Sequence, residues 1–236
     1  MDSVTSRIAA NYAGLVERIA AACRRAGRAP SEVRLVAVTK SAEVAWIDAL
    51  VALGVRDLAE SRPQQLCERA ALVDPAVRWH LIGQLQRNKV RKVLPVAAWI
   101  HSVDSLPLLR RIDEIAGELG VRPRLLLEVN VSGEAAKSGF PPGQLSEAWP
   151  VVAAVKNVEV AGLMTMAPLF DSPAAARPVF AGLRLLRDQL KNLDPALQLP
   201  ELSMGMSGDF EVAVEEGATM VRVGSSLFEG LEGGDD

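Results

Sequence analysis

The chain has 236 residues, 49% of them hydrophobic and 23% charged, and carries a net charge of −3. At roughly 100–200 residues per domain this is one large domain or two small ones, with enough chain to bury a core. The apolar fraction excludes disorder, and the balanced charge excludes a polyanion-binding tail. No run approaches the roughly 18 apolar residues of a membrane span. The start, MDSVTSRIAANYAGLVERIA, mixes acidic and basic residues into its apolar pattern and does not read as a secretory signal. Cys23 and Cys67 fall in helix-like stretches without metal or framework spacing. That usage suits a reducing compartment, and the expected location is the cytoplasm.

The first predicted element is an amphipathic helix from Ser6 to Arg25, with Ile8, Leu15, Val16, Ile19 and Ala22 on one face. It ends near Gly27 and Pro30. Short β-branched runs then alternate with helical patterns. The strand-like runs are VRLVAVT (33–39), VRDLA (55–59), RWHLI (78–82), AWIHS (98–102), RLLLEVN (124–130), VEVAGLM (158–164), ELSM (201–204) and MVRVG (220–224). Helical stretches lie at Val44–Leu53, Gln64–Leu72, Leu106–Leu119, Gln144–Val155, Ala174–Leu190 and Phe210–Glu216. VRLVAVT and RLLLEVN are nearly continuous in apolar character, as parallel strands covered by helices on both sides are. About eight β-then-α units point to a single TIM-type (β/α)8 barrel with an extra N-terminal helix. A doubly wound open sheet is the alternative, although it normally needs fewer units. Residues 1–230 are read as one domain and 231–236 as a frayed tail.

Barrels place their chemistry at the carboxyl ends of the strands. Strand one ends VAVTK, so Lys40 follows directly on an apolar run. An ammonium at the edge of a low-dielectric core has its charged form disfavoured, which frees the amine to attack an aldehyde. A lysine that merely opens a loop is the plainer reading. SMGMSGDF (203–210) and RVGSSLFEG (222–230) place glycines and serines just before helical turns after strands seven and eight. Backbone N–H groups there, with small residues allowing close approach, suit a phosphate, although ordinary turns would look the same. Barrel closure sets strand eight beside strand one, so Lys40 and the cup of Ser207, Gly224 and Ser225 share one rim. An imine-forming lysine and a phosphate cup together describe pyridoxal 5′-phosphate (PLP). Arg222, inside strand eight, would contact either a carboxylate or the pyridine nitrogen.

The segments VAVTK (36–40), WHLIGQLQRNK (79–89), NVSGEAAKSG (130–139), GLMTM (162–166) and LSMGMSGDFEVAVEEGATMVRVGSSLFEG (202–230) resemble the PLP homeostasis proteins over nearly the whole chain. The resemblance implies a barrel similar to the N-terminal domain of alanine racemase, with PLP as a Schiff base on Lys40. It implies phosphate contacts from Ser207, Gly224 and Ser225, Arg222 at the pyridine nitrogen, and His80 and Met164 lining the pocket. Lys137 matches a family lysine connected with cofactor transfer. The common FGENYVQE becomes LAESRPQQ (58–65), so the family's Asn contact carries over only weakly, to Ser61. The common VSKTKP becomes VTKSAE, with Ala42 in place of a second lysine. The function implied is intracellular PLP homeostasis without turnover, by a monomer, with PLP-dependent apoenzymes as recipients.

The alternative is a PLP-dependent racemase-like enzyme. Two-base racemisation needs an acid/base opposite the lysine, commonly a tyrosine. The one tyrosine, Tyr12, lies in the N-terminal helix. A sugar-phosphate barrel with an aldolase-type lysine is a further rival. The basic run QRNKVRK (86–92) is read as a charged helix face with Val90 turned inward rather than as a nucleic-acid site. Trp46, Trp79, Trp99 and Trp149 are assigned to the core, and His101 to a satisfied strand end. No metal site and no membrane contact are expected.

Overall fold

The computed structural model describes residues 3–134, 137–194 and 198–231. The predicted tail lies outside the described residues from position 232 onward. All eight expected strands form: β1 (Arg34–Val38), β2 (Asp57–Glu60), β3 (Arg78–Leu81), β4 (Ala97–Val103), β5 (Arg124–Glu128), β6 (Glu159–Met164), β7 (Glu201–Ser203) and β8 (Met220–Val223). Each pairs in parallel with the next, and β8 closes on β1 with Val36 opposite Arg222 and Ala37 opposite Val223. Closure excludes the open doubly wound sheet.

The helices are α1 (Ser3–Arg25), α2 (Val44–Ala52), α3 (Pro63–Ala70), α4 (Val90–Val93), α5 (Leu106–Leu119), α6 (Pro142–Ala153), α7 (Arg177–Leu193) and α8 (Phe210–Glu215). Among the described residues none is long and apolar enough to cross a membrane. Strand side chains alternate between two sides. Ala37, Leu58, Leu125 and Leu127 join the large core between strands and helices. Val36, Val38, Ala59, Leu126, Ala161, Met164 and Met220 fill the barrel interior with Trp99. This is why β1 and β5 read as unbroken apolar runs: both faces are buried, each fully buried Val or Leu contributing about 1.5–3 kcal/mol. The other three tryptophans are buried as well.

Among the described residues a short 3-10 turn, Ser225–Leu227, follows β8, and α1 takes the place of a helix there, packing between α8 and α2 and on that turn. Asn11 Nδ2 donates to the carbonyls of Leu227 and Glu229, and Arg18 pairs with Glu211 on α8. Ile8, Leu15, Ile19 and Ala22 are buried as the helical spacing predicts. Val16 is not; it lies at the edge of the apolar stripe and is exposed.

Candidate functional site at the barrel mouth

Lys40 lies in the turn after β1, on the carboxyl-end face of the barrel. One expectation fails here. The strand stops at Val38, Thr39 is the last fully buried residue, and Lys40 itself is exposed. The amine is therefore accessible to solvent, on a turn that is firmly held. Arg69 of α3 donates to the carbonyls of Thr39 and Ala42, on either side of the lysine, and also to buried Glu60. The Glu60 carboxylate accepts from Thr39 Oγ1 as well, and Gln65 Nε2 donates to the Lys40 carbonyl at 3.1 Å. Burial pushes the Glu60 carboxyl upward, against the pull of Thr39 and Arg69. These supports were missed in the sequence, because nothing in the spacing of Glu60 and Arg69 announces a clamp on a turn twenty to thirty residues upstream.

The two Gly/Ser loops meet as expected. Arg222 N–H donates to the Gly205 carbonyl at 3.0 Å, and Ser226 N–H approaches Ser207 Oγ at 3.5 Å. Gly205 adopts φ +92°, and a Cβ there would lie 2.6 Å from Ala213 Cβ, so the first loop requires glycine. Asp209 Oδ1 accepts the Met206 N–H at 2.6 Å, which fixes the same loop. A Cβ on Gly224 would sit 3.2 Å from the Val38 carbonyl. The cup of Ser207, Gly224 and Ser225 thus lies against the end of β1, two residues from Lys40.

Arg222 is 3% exposed and forms no ion pair among the described residues. Its Nη1 donates to Ser203 Oγ at 2.6 Å and its Nη2 to the Thr165 carbonyl at 3.0 Å, which lays the guanidinium across the ends of β6 and β7. Burial pulls it down to about 10, against Asp209 and Glu128. Glu128, at the end of β5, is pushed up to about 7 by burial, with Asp104 adding to the shift and Arg222 opposing it. This carboxyl too escaped the sequence reading.

The remaining expected residues divide. Met164 is buried in the barrel interior at the end of β6, beside the mouth. Ser61 follows β2 on the mouth face, and Pro63 opens α3, where its missing N–H costs nothing. Lys137 sits in the loop after β5, its backbone N–H on the Glu134 carbonyl and its Nζ 3.3 Å from Glu134 Oε2, an ion pair without hydrogen-bond alignment. His80 does not reach the mouth. It is fully buried, with both ring nitrogens engaged inside the barrel by Asp57 at 3.0 Å and His101 at 2.9 Å. Tyr12 lines a cavity of about 340 Å³ with Arg34, Arg56, Asp57 and Arg78, at the strand starts and so at the opposite end from Lys40. In the run 86–92, Val90 is fully buried while Arg91 and Lys92 face solvent, the charged helix face expected.

Fold and mouth together define a barrel of the alanine racemase type, and residues 11–232 match the family model described as the N-terminal domain of alanine racemase. An alanine racemase from Clostridium difficile 630 shares this fold at a TM-score of 0.74 and 14% identity, over 94% of this chain and 56% of that one. The chain belongs to the pyridoxal phosphate homeostasis protein family. A protein of that name from Aquifex aeolicus (strain VF5) is 41% identical over 215 residues, 91% of this chain and 94% of the relative. PipY of Synechococcus elongatus PCC7942, solved with PLP bound, superposes with a TM-score of 0.80 at 41% identity, over 90% of this chain and 99% of that one.

Proposed function

We propose that this chain is a PLP carrier of intracellular, cytoplasmic PLP homeostasis, which holds the cofactor as a Schiff base on Lys40 and turns over no substrate. Residues 1–230 act as one binding unit, as a monomer, and PLP-dependent apoenzymes are the recipients. PLP supplies an aldehyde that condenses with a primary amine, a ring nitrogen that accepts a hydrogen bond, and a phosphate. The observation that carries the reading is the β8–β1 seam, which sets an accessible lysine beside a Gly/Ser cup and above a buried arginine.

In this reading Ser207, Gly224 and Ser225 hold the phosphate, and Met164 borders the ring. Ser61 and Lys137 lie on the same face; Lys137 serves transfer rather than holding. Arg222 donates to the ring nitrogen. A guanidinium that stays charged disfavours protonation of that nitrogen and so blunts the electron sink carbanion chemistry needs. The position of Tyr12 at the far end removes the usual second base of a racemase from the mouth.

The test is an absorbance titration with PLP on the chain and on Lys40→Ala. A near-visible band that forms on the parent and is absent from the folded variant is the expected result. A band retained in the variant would reassign the amine. Robust L-alanine turnover that disappears in Lys40→Ala would overturn the carrier assignment.

A further inference from the structure

Six polar groups form an unbroken line through the barrel, and none of its links was foreseen. Asp57 Oδ1 lies 3.0 Å from His80 Nε2, His80 Nδ1 lies 2.9 Å from His101 Nε2, and His101 Nδ1 lies 2.9 Å from Ser203 Oγ. Arg222 closes the line at 2.6 Å from the same hydroxyl, and Arg78 opens it with two bonds to Asp57, at 2.9 and 2.5 Å. His80, His101 and Ser203 are all fully buried.

The two ends decide the direction. An ionised carboxylate only accepts, so His80 must place its proton on Nε2. A guanidinium only donates, so Ser203 Oγ accepts from Arg222 and turns its own hydrogen to His101 Nδ1. Between them each imidazole donates from Nε2 and accepts at Nδ1, and every link is satisfied with both rings neutral. Burial lowers His80, with Arg34 and Arg78 adding to the shift and Asp57 opposing it. It lowers His101 well below its ordinary value, with His80, Arg222 and Arg34 adding to it. Burial also works against the Asp57 charge, but the bonds from His80 and Arg78 outweigh it and hold that carboxyl well below the usual range. Trp99, itself buried, stacks on His80 at 5.7 Å and lies under Arg34 and Arg124.

We infer that Ser203, His101 and His80 are positioning residues for Arg222, a one-way hydrogen-bond chain anchored on Asp57 that fixes the guanidinium as a donor across the mouth. The two contacts of Arg222 use two of its five N–H groups. Neither contact neutralises the charge. Its link to a ring nitrogen rests on the PLP reading above; the direction of the chain does not.

The sequence contains two histidines, so nitrogen-15 NMR of the PLP-free parent reads both links without ambiguity. Both rings are expected as neutral Nε2–H tautomers at neutral pH; a charged ring there, or an Nδ1–H tautomer, overturns the chain. In Ser203→Ala the Nδ1 resonance of His101 moves while His80 stays, and equal movement at both, or none, contradicts the assignment. The same variant weakens PLP binding about tenfold, the order expected when a buried donor loses its acceptor. Unchanged affinity in a chain whose parent binds PLP would overturn the positioning role. A parent that fails to bind PLP defeats the carrier reading, while the tautomers still decide the chain.

Discussion

The two ends of the barrel spend their charged groups differently. At the strand starts nearly every charge has a partner: Arg78 on Asp57, Arg34 near both Asp57 and Glu201, Arg124 on Glu159. At the strand ends, apart from Arg69 on Glu60, Lys40 is exposed on a clamped turn, Arg222 is held by a hydroxyl and a carbonyl, and Glu128 is buried with no ion pair among the described residues. Groups paired at the floor contribute to stability; those left uncommitted at the mouth are available to a ligand. The lesson is that burial alone does not mark a functional charge. What marks it is burial or accessibility without neutralisation.

The contrast can be broken at the floor first. Asp57→Ala removes the acceptor of the buried His80 ring and of the exposed Arg78, and the unpaired buried imidazole sets an expected loss of about 1–3 kcal/mol. Urea denaturation reads it, and a loss under 1 kcal/mol would mean the floor pairs are not structural. At the mouth, Gly205→Ala must strain a left-handed residue and push on Ala213, which costs about 1–3 kcal/mol. The same variant should impair PLP binding, because the cup is built on that turn.

Glu128 sharpens the comparison through pH. Its folded value lies above the ordinary 4.5, at about 7, so the folded chain keeps a proton that the unfolded chain releases. Stability from this group is therefore full below pH 4.5 and falls as pH rises through 7. Glu128→Gln should flatten that slope and raise Tm at pH 8 relative to the parent, by more than at pH 5. Equal Tm differences at both pH values would show the carboxyl to be charged throughout. The smallest effect belongs outside the barrel. Arg18 pairs with Glu211 at 3.0 Å and lies over the Phe210 ring, but both charged side chains are well exposed. Arg18→Ala should cost about 0.2–1 kcal/mol, less in high salt.

Much of the fold was legible because barrel strands buried on both faces leave unbroken apolar runs, and all eight were placed. The short α4 and the 3-10 turn before it, Arg87–Lys89, were not separated, since seven residues dominated by basic side chains carry no clear period. At the site, Lys40 and the two loops were legible from their place after strands one, seven and eight. The depth of Lys40 was not: the apolar run shows where a strand lies, and the chain turns outward one residue before the lysine. His80 was sent to the mouth because a strand histidine has no visible partner in sequence. Its partners stand 23 and 21 residues away, and Ser203 lies 102 residues from His101. Arg222 was recognised as costly to bury, yet the hydroxyl that holds it belongs to an ordinary serine in the strand-like run ELSM.

Reduction of the PLP-treated chain with borohydride, followed by mapping of the modified lysine, tests the carrier account most directly. The account predicts a single pyridoxyl group on Lys40 and none on Lys137 under stoichiometric PLP. A label spread over several lysines, or one that leaves Lys40 unmodified, would contradict it.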